Sequence, residues 1–235
     1  MTVQNIMAEL KAKGSESIKK VLLKHGIKEP FFGVKVEDLK VIQKKIKKDY
    51  QLSLDLFATG NADAMYLAGL IADEKKMTKK DLMTWVKRAE STNISDYTVP
   101  RIAAESNFGF GLAMEWIDAK EEFIAAAGWS TLSNLVALKP DDELDQQSLK
   151  TLLERVKNTI HKADNRVRSK MNGFIIAVGS YVAPLTDYAI GISRKIGDVE
   201  VNVGDTACKV PNAIEYITKV KAKGAVGKKK KTVRC

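Results

Sequence analysis

The sequence predicts an all-α protein: a solenoid of antiparallel helix pairs with one small β-hairpin near the C-terminus. Three observations predict it. Apolar residues recur at helical spacing along nearly all of the 235 residues. The helical stretches run about ten to eighteen residues, and short breaks marked by Gly, Pro or Asn separate them. One stretch only, 198–210, switches to period two.

Taken in order, Thr2 is placed to cap a helix that carries Val3, Ile6, Met7 and Leu10 on one face and stops at Gly14. Ser15 caps a second helix, with Ile18, Val21, Leu22 and Leu23 apolar, ended by Gly26. Pro30-Phe31-Phe32-Gly33 reads as a turn whose paired aromatics pin it to the core. A helix over 36–48 turns Leu39, Val41, Ile42 and Ile46 inward and lysines outward. Further helices follow at 52–58, 62–73, 79–90, 97–105, 114–119 and 121–138, and Pro140 breaks the last of these. Trp85, Trp116 and Trp129 lie inside apolar helical stretches and are expected in the core. A long helical region spans 144–196, punctuated by Pro184, and Pro211 heads a final helix over 212–221.

Antiparallel pairs then recur roughly every 35–45 residues, the period of HEAT-like solenoids. The array is too long to close around a single four-helix core. The expected organisation is a HEAT-like repeat domain over 1–222, with the hairpin at about 198–210, and a basic, flexible tail over 223–235. In the hairpin Val199, Val201 and Val203 share one face, and Gly204-Asp205 supplies the tight turn.

Charge points to the partner. There are 39 basic and 29 acidic residues, a net charge of +10, which favours a polyanion such as nucleic acid. Arg166, Arg168 and Lys170 stand at the entrance of the apolar run that begins at Phe174. Arg194 and Lys195 flank the base of the hairpin, Lys209 sits on its return strand, and Lys228, Lys229 and Lys230 lie in the tail with Arg234. These are the candidate DNA-binding residues, expected along a concave cationic surface. Cys208 and Cys235, with His25 and His161, give neither a disulfide framework nor a metal-ligand cluster, so a reduced, cytoplasmic protein without metal or cofactor is expected. No apolar run approaches the length that spans a bilayer. No phosphate-binding glycine loop, nucleophile elbow or zinc-protease motif is present. Asp96 and Glu105 are the acids that a catalytic cleft would use, and Tyr97 flanks a turn where it can be exposed.

Three segments in order, Phe32-Gly33-Val34-Lys35-Val36-Glu37-Asp38-Leu39, Asn93-Ile94-Ser95-Asp96 and the helix over 165–179, give the chain a resemblance to the HEAT-like repeat DNA alkylation repair family, whose type is the AlkD glycosylase. It covers about 18–221. The resemblance implies a helical solenoid around duplex DNA and, in active members, hydrolytic release of N3- and N7-alkylated purines without a metal. It also implies departures. Asp96 matches the first Asp of the family's Asn-Trp-Trp-Asp-x-Val-Asp segment, but Val99 stands at the catalytic Asp and Ser95 replaces a Trp. The family's arginine falls within 123–127, which has none, while Phe174 keeps an aromatic ring where a second Trp stands. Stabilising an oxocarbenium ion needs a carboxylate beside the sugar, so the known chemistry is not expected. The expected hairpin and the basic ending resemble the AlkF/AlkG branch, whose members are regarded as binders of branched DNA.

The function so implied is binding of branched or distorted DNA, or of duplex, by a monomer that removes no base. Two alternatives stand beside it: a glycosylase with a relocated acid, Asp96 or Glu105, and a HEAT-type scaffold for protein partners.

Overall fold

The helical periodicity resolves into thirteen α-helices among residues 1–233, the part of the chain that the structure, a computed structural model, describes. Arg234 of the expected basic tail and the second thiol, Cys235, lie outside the described residues. The chain divides into two compact units: Met1–Leu112 with Gly204–Thr206, and Ala113–Val203 with Ala207 onward. The division falls within α8 (Gly109–Trp116).

In the first unit, α1 (Val3–Lys13) starts where the Thr2 hydroxyl accepts the Asn5 N–H at 3.2 Å, and it ends at Gly14. α2 (Glu16–Lys24) buries no residue, and its apolar Val21 and Leu23 are exposed. Leu22 packs on the Ile27, Phe31 and Ala62 cluster. α3 (Val36–Ile46) buries Leu39 and Ile42 and leaves Val41 exposed. α4 (Tyr50–Ala58) packs on α5 (Ala62–Ile71), and Phe57 stacks on Trp85 of α6 (Lys79–Lys87), ring centroids 4.1 Å apart and planes 5° from parallel. The Phe32-Gly33 turn is held from α5. Buried Asp63 accepts the N–H groups of Phe32, Gly33 and Val34 at 2.6, 3.1 and 3.3 Å, and burial raises its carboxyl above the ordinary range despite them. Gly33 has φ +79°, and a Cβ there would meet the Ser15 carbonyl at 2.6 Å, so glycine is required. A π-helical turn, Ile94–Thr98, leads into α7 (Val99–Glu105).

The second unit is built on α9 (Glu122–Leu138) and α11 (Asn165–Tyr181), whose buried faces meet at Trp129 and Phe174, ring centroids 5.3 Å apart. α10 (Gln146–Thr159), α12 (Thr186–Ile196) and α13 (Ala213–Ala222) complete it. All three tryptophans are buried, as expected. No single helix among the described residues is long and apolar enough to cross a membrane.

The expected β-hairpin is absent: residues 198–210 contain no strand, and no strand occurs among the described residues. The physical reason lies in where the backbone groups of this segment bond. Asn165 of α11 holds Asn202 at both ends, donating Nδ2–H to its carbonyl at 2.8 Å and accepting its N–H on Oδ1 at 2.7 Å. Arg168 donates to the Glu200 carbonyl at 2.9 Å. A lone two-stranded ribbon is marginal in water, and side chains of α11 take the place of a partner strand. The basic run expected to trail away as a flexible tail is laid against the unit. Gly227 N–H donates to the Ser180 carbonyl at 2.9 Å and Lys230 N–H to the Ala137 carbonyl at 2.8 Å.

Candidate nucleic-acid interface

The cations singled out in the sequence fall into two groups at opposite ends of α11, separated by about 25 Å at the helical rise per residue. At the N-terminal end, Glu122 accepts the Arg166 N–H at 2.8 Å and so caps the opening turn, which carries Arg166 and Arg168, with Lys170 on the next turn. Arg166 and Lys170 are half-buried. Arg168 is engaged by three backbone carbonyls. Beyond Glu200, it donates to the carbonyls of Ala163 at 2.9 Å and His161 at 3.2 Å. It therefore ties the turn before α11 to the segment after α12.

A ring nitrogen of His161 lies 3.0 Å from the Ile196 carbonyl and brings the end of α12 to the same place. Arg194 and Lys195, in the last turn of α12, are exposed, as is Lys209. Arg194 and Lys209 have no ion pair among the described residues. Lys195 feels Glu154 of α10, whose carboxyl is held below the usual range, first by Lys157 and then by the Tyr188 hydroxyl at 2.6 Å. A cleft of about 430 Å³ opens between α11, the end of α12 and the start of α13. Arg194, Asn172 and Asp198 contribute its polar lining. Sequence reading missed Asn172, which lies in an apolar helix without a motif, and Asp198, which read as the first residue of a strand.

At the C-terminal end of α11, the tail lysines serve mainly the protein. Lys229 Nζ donates to the Val136 carbonyl at 2.9 Å and sits 2.7 Å from Asp141 Oδ1 as an ion pair without hydrogen-bond alignment. Lys230 lies over the Tyr181 ring, 5.6 Å from its centroid. Lys228 is exposed.

The acids and aromatics that stand out in the sequence are placed differently. Asp96 lies in the π-helical turn, half-buried, and accepts from the Ser95 hydroxyl at 3.0 Å. Glu105 pairs with Arg101 at 3.6 Å, and Arg101 is buried and donates to the Gly69 carbonyl. That arginine, inside an apolar helix, was not singled out in the sequence. Ser95 and Val99, at the positions of the family's Trp and catalytic Asp, are fully buried. Tyr97 is 55% exposed, whereas Phe174 is 0% exposed and cannot face a base. Its ring fills the space against Trp129 that an exposed platform would have to leave.

Comparison with known proteins decides the family. The family model for the DNA alkylation repair enzyme matches residues 6–217. The chain belongs to the DNA alkylation repair family. Members similar to it include the uncharacterized proteins Lin0241 of Listeria innocua serovar 6a and Lmo0209 of Listeria monocytogenes serovar 1/2a. Each is 31% identical over 226 residues, covering 94% of this chain and 98% of the relative. A solved structure superposes over all of both chains with a TM-score of 0.91 and 39% identity. It is described as a new family of proteins related to the HEAT-like repeat DNA glycosylases with affinity for branched DNA structures. The all-helical, HEAT-like fold expected from the family's segments agrees with that likeness.

Proposed function

We propose that this member of the DNA alkylation repair family binds branched DNA through the cations gathered where α11 begins and α12 ends, and that it removes no base. The observation that carries the reading is Arg194, an exposed guanidinium without an acid partner, on the same element as Lys195 and beside the segment that bears Lys209. Such cations bind phosphates and position DNA without reading its sequence. Arg166 and Lys170 extend the contact and Arg168 holds the surface in shape, while Lys228, exposed at the far end of α11, offers a second phosphate contact. The solved relative's affinity for branched DNA supports the choice of partner. The Arg101–Glu105 pair and the buried Val99 support the absence of base removal, because they leave no unpaired acid there to stabilise a departing purine's sugar. The same reading takes the protein as a cytoplasmic monomer without cofactor.

The test is a binding titration over single-stranded, duplex and junction DNA at two salt concentrations, beside a base-release assay on methylated DNA. Junctions are expected to bind most tightly, with affinity falling steeply with salt and no purine released. Equal affinity for all three forms overturns the choice of branched DNA. Release of methylated purine that disappears in Asp96→Asn or Glu105→Gln replaces the reading with a glycosylase.

A further inference from the structure

The cleft beside Arg194 has features that phosphate contact alone does not use. Its volume of about 430 Å³ falls in the range of small-molecule sites. That is room for one nucleotide and none for a duplex. Its apolar wall is made by Ile175 of α11 and by Val210 and Pro211 of the segment before α13. Asn172 is only 2% exposed and lines the same space. Its Nδ2 is committed to the Pro211 carbonyl at 2.9 Å, so Oδ1 is the atom of this amide that can accept a hydrogen bond.

Arg194 and Asp198 both line the cleft and are not paired with each other or with any other described residue. A cation and an acid kept apart in one cleft fit a ligand with an anionic end and a donor-bearing end. A free phosphate has only the first, and the carboxylate would oppose it.

We propose that this cleft holds a single unpaired nucleotide of branched DNA, its base inward against Ile175 and Pro211 and its phosphate at Arg194. Asp198 and the Asn172 Oδ1 accept from the amino or imino groups of the base edge. An unpaired nucleotide is cheap to withdraw, because a branch point has already lost the pairing and stacking that hold a base inside a duplex. The proposal rests on the DNA-binding reading and names the feature of the branch that the protein recognises.

The experiment compares three junctions that differ at one branch-point position: fully paired, carrying one unpaired 2-aminopurine, and carrying an abasic residue at that place. The wild-type protein is expected to bind the unpaired junction about tenfold more tightly than the paired one, the order expected for one base buried against an apolar wall, and to change the 2-aminopurine fluorescence. Val210→Trp, which fills the cleft from the surface segment, is expected to abolish both effects and leave affinity for the paired junction unchanged. Asp198→Ala is expected to reduce the preference without altering paired-junction affinity, which guards against misfolding of the Trp variant. Equal binding of all three junctions overturns the cleft proposal and leaves the phosphate reading standing, as does an abasic junction that binds as tightly as the unpaired base. Failure to bind any junction overturns both.

Discussion

Both ends of α11 gather cations, and they use them in opposite ways. At the N-terminal end one arginine, Arg168, does the structural work by donating to three carbonyls, and Arg194 and Lys209 are left unpaired. At the C-terminal end, Lys229 and Lys230 are engaged by Val136, Asp141 and Tyr181. Net charge therefore overstates the interface. A cation that closes a backbone carbonyl or a carboxylate inside the protein must break that contact before it can hold a phosphate, and only the unpaired ones bind without that cost.

The comparison breaks most visibly at Arg168. Arg168→Ala removes three hydrogen bonds from a charged donor, and urea unfolding is expected to show a loss of about 2–3 kcal/mol. Asn202 and its neighbours should gain fast amide exchange as the segment lifts from α11. An unaltered unfolding midpoint together with weaker DNA binding would return Arg168 to the phosphate-contacting set. The double change Arg194→Ala with Lys209→Ala is the converse. It should leave the unfolding midpoint in place, weaken junction binding about tenfold, and reduce the slope of log affinity against log salt by about 1.8, two phosphates' worth. At the other end, Asp141→Asn leaves the Lys229 ammonium with one carbonyl. Because both side chains are partly solvated, a destabilisation of about 1 kcal/mol is expected, with the salt slope unchanged. A change in slope would show that the tail lysine was exchanging its carboxylate for DNA.

Helices whose ends carry capping chemistry were legible in the sequence. Thr2 and Gly14 bound α1, and Asn212 opens α13 by accepting the Glu215 N–H at 3.1 Å. Which way an apolar residue faces was less legible, because Val21, Leu23 and Val41 fit a helical stripe as well as Leu22 and Ile42 do. The failure at 198–210 has a definite cause. Period two reports alternating side chains, but a strand also needs a partner for its backbone, and Asn165 and Arg168, more than thirty residues earlier, compete for that role. The site was legible as charge and not as geometry. Arg166, Arg168, Arg194 and Lys229 look alike in a sequence, and only the carbonyls and carboxylates around each separate a clamp from a free hand. Asn172 carried no signal at all, since one amide in an apolar helix is ordinary until the Pro211 carbonyl is found beside it.

The smallest expected effect sharpens the comparison most, because it tests a cation of intermediate status. Lys195 is exposed, yet it lies in the field of Glu154, an acid on α10 that Lys157 and Tyr188 keep ionised. Glu154→Gln keeps the shape and an acceptor for Tyr188 and removes the charge. Junction affinity is expected to rise about twofold and the salt slope to steepen slightly, because Lys195 no longer meets a competing carboxylate when phosphate arrives. The same substitution has a signature in acid. A carboxyl held below its ordinary value contributes stability that is complete above the unfolded value of 4.5 and disappears as pH falls through the lower folded value. The Gln variant should therefore lose less stability than the wild type over that interval. Weaker DNA binding by Glu154→Gln would mean that the acid orients Lys195 for its phosphate, and Lys195 would then belong with Arg168 among the cations that act through the fold.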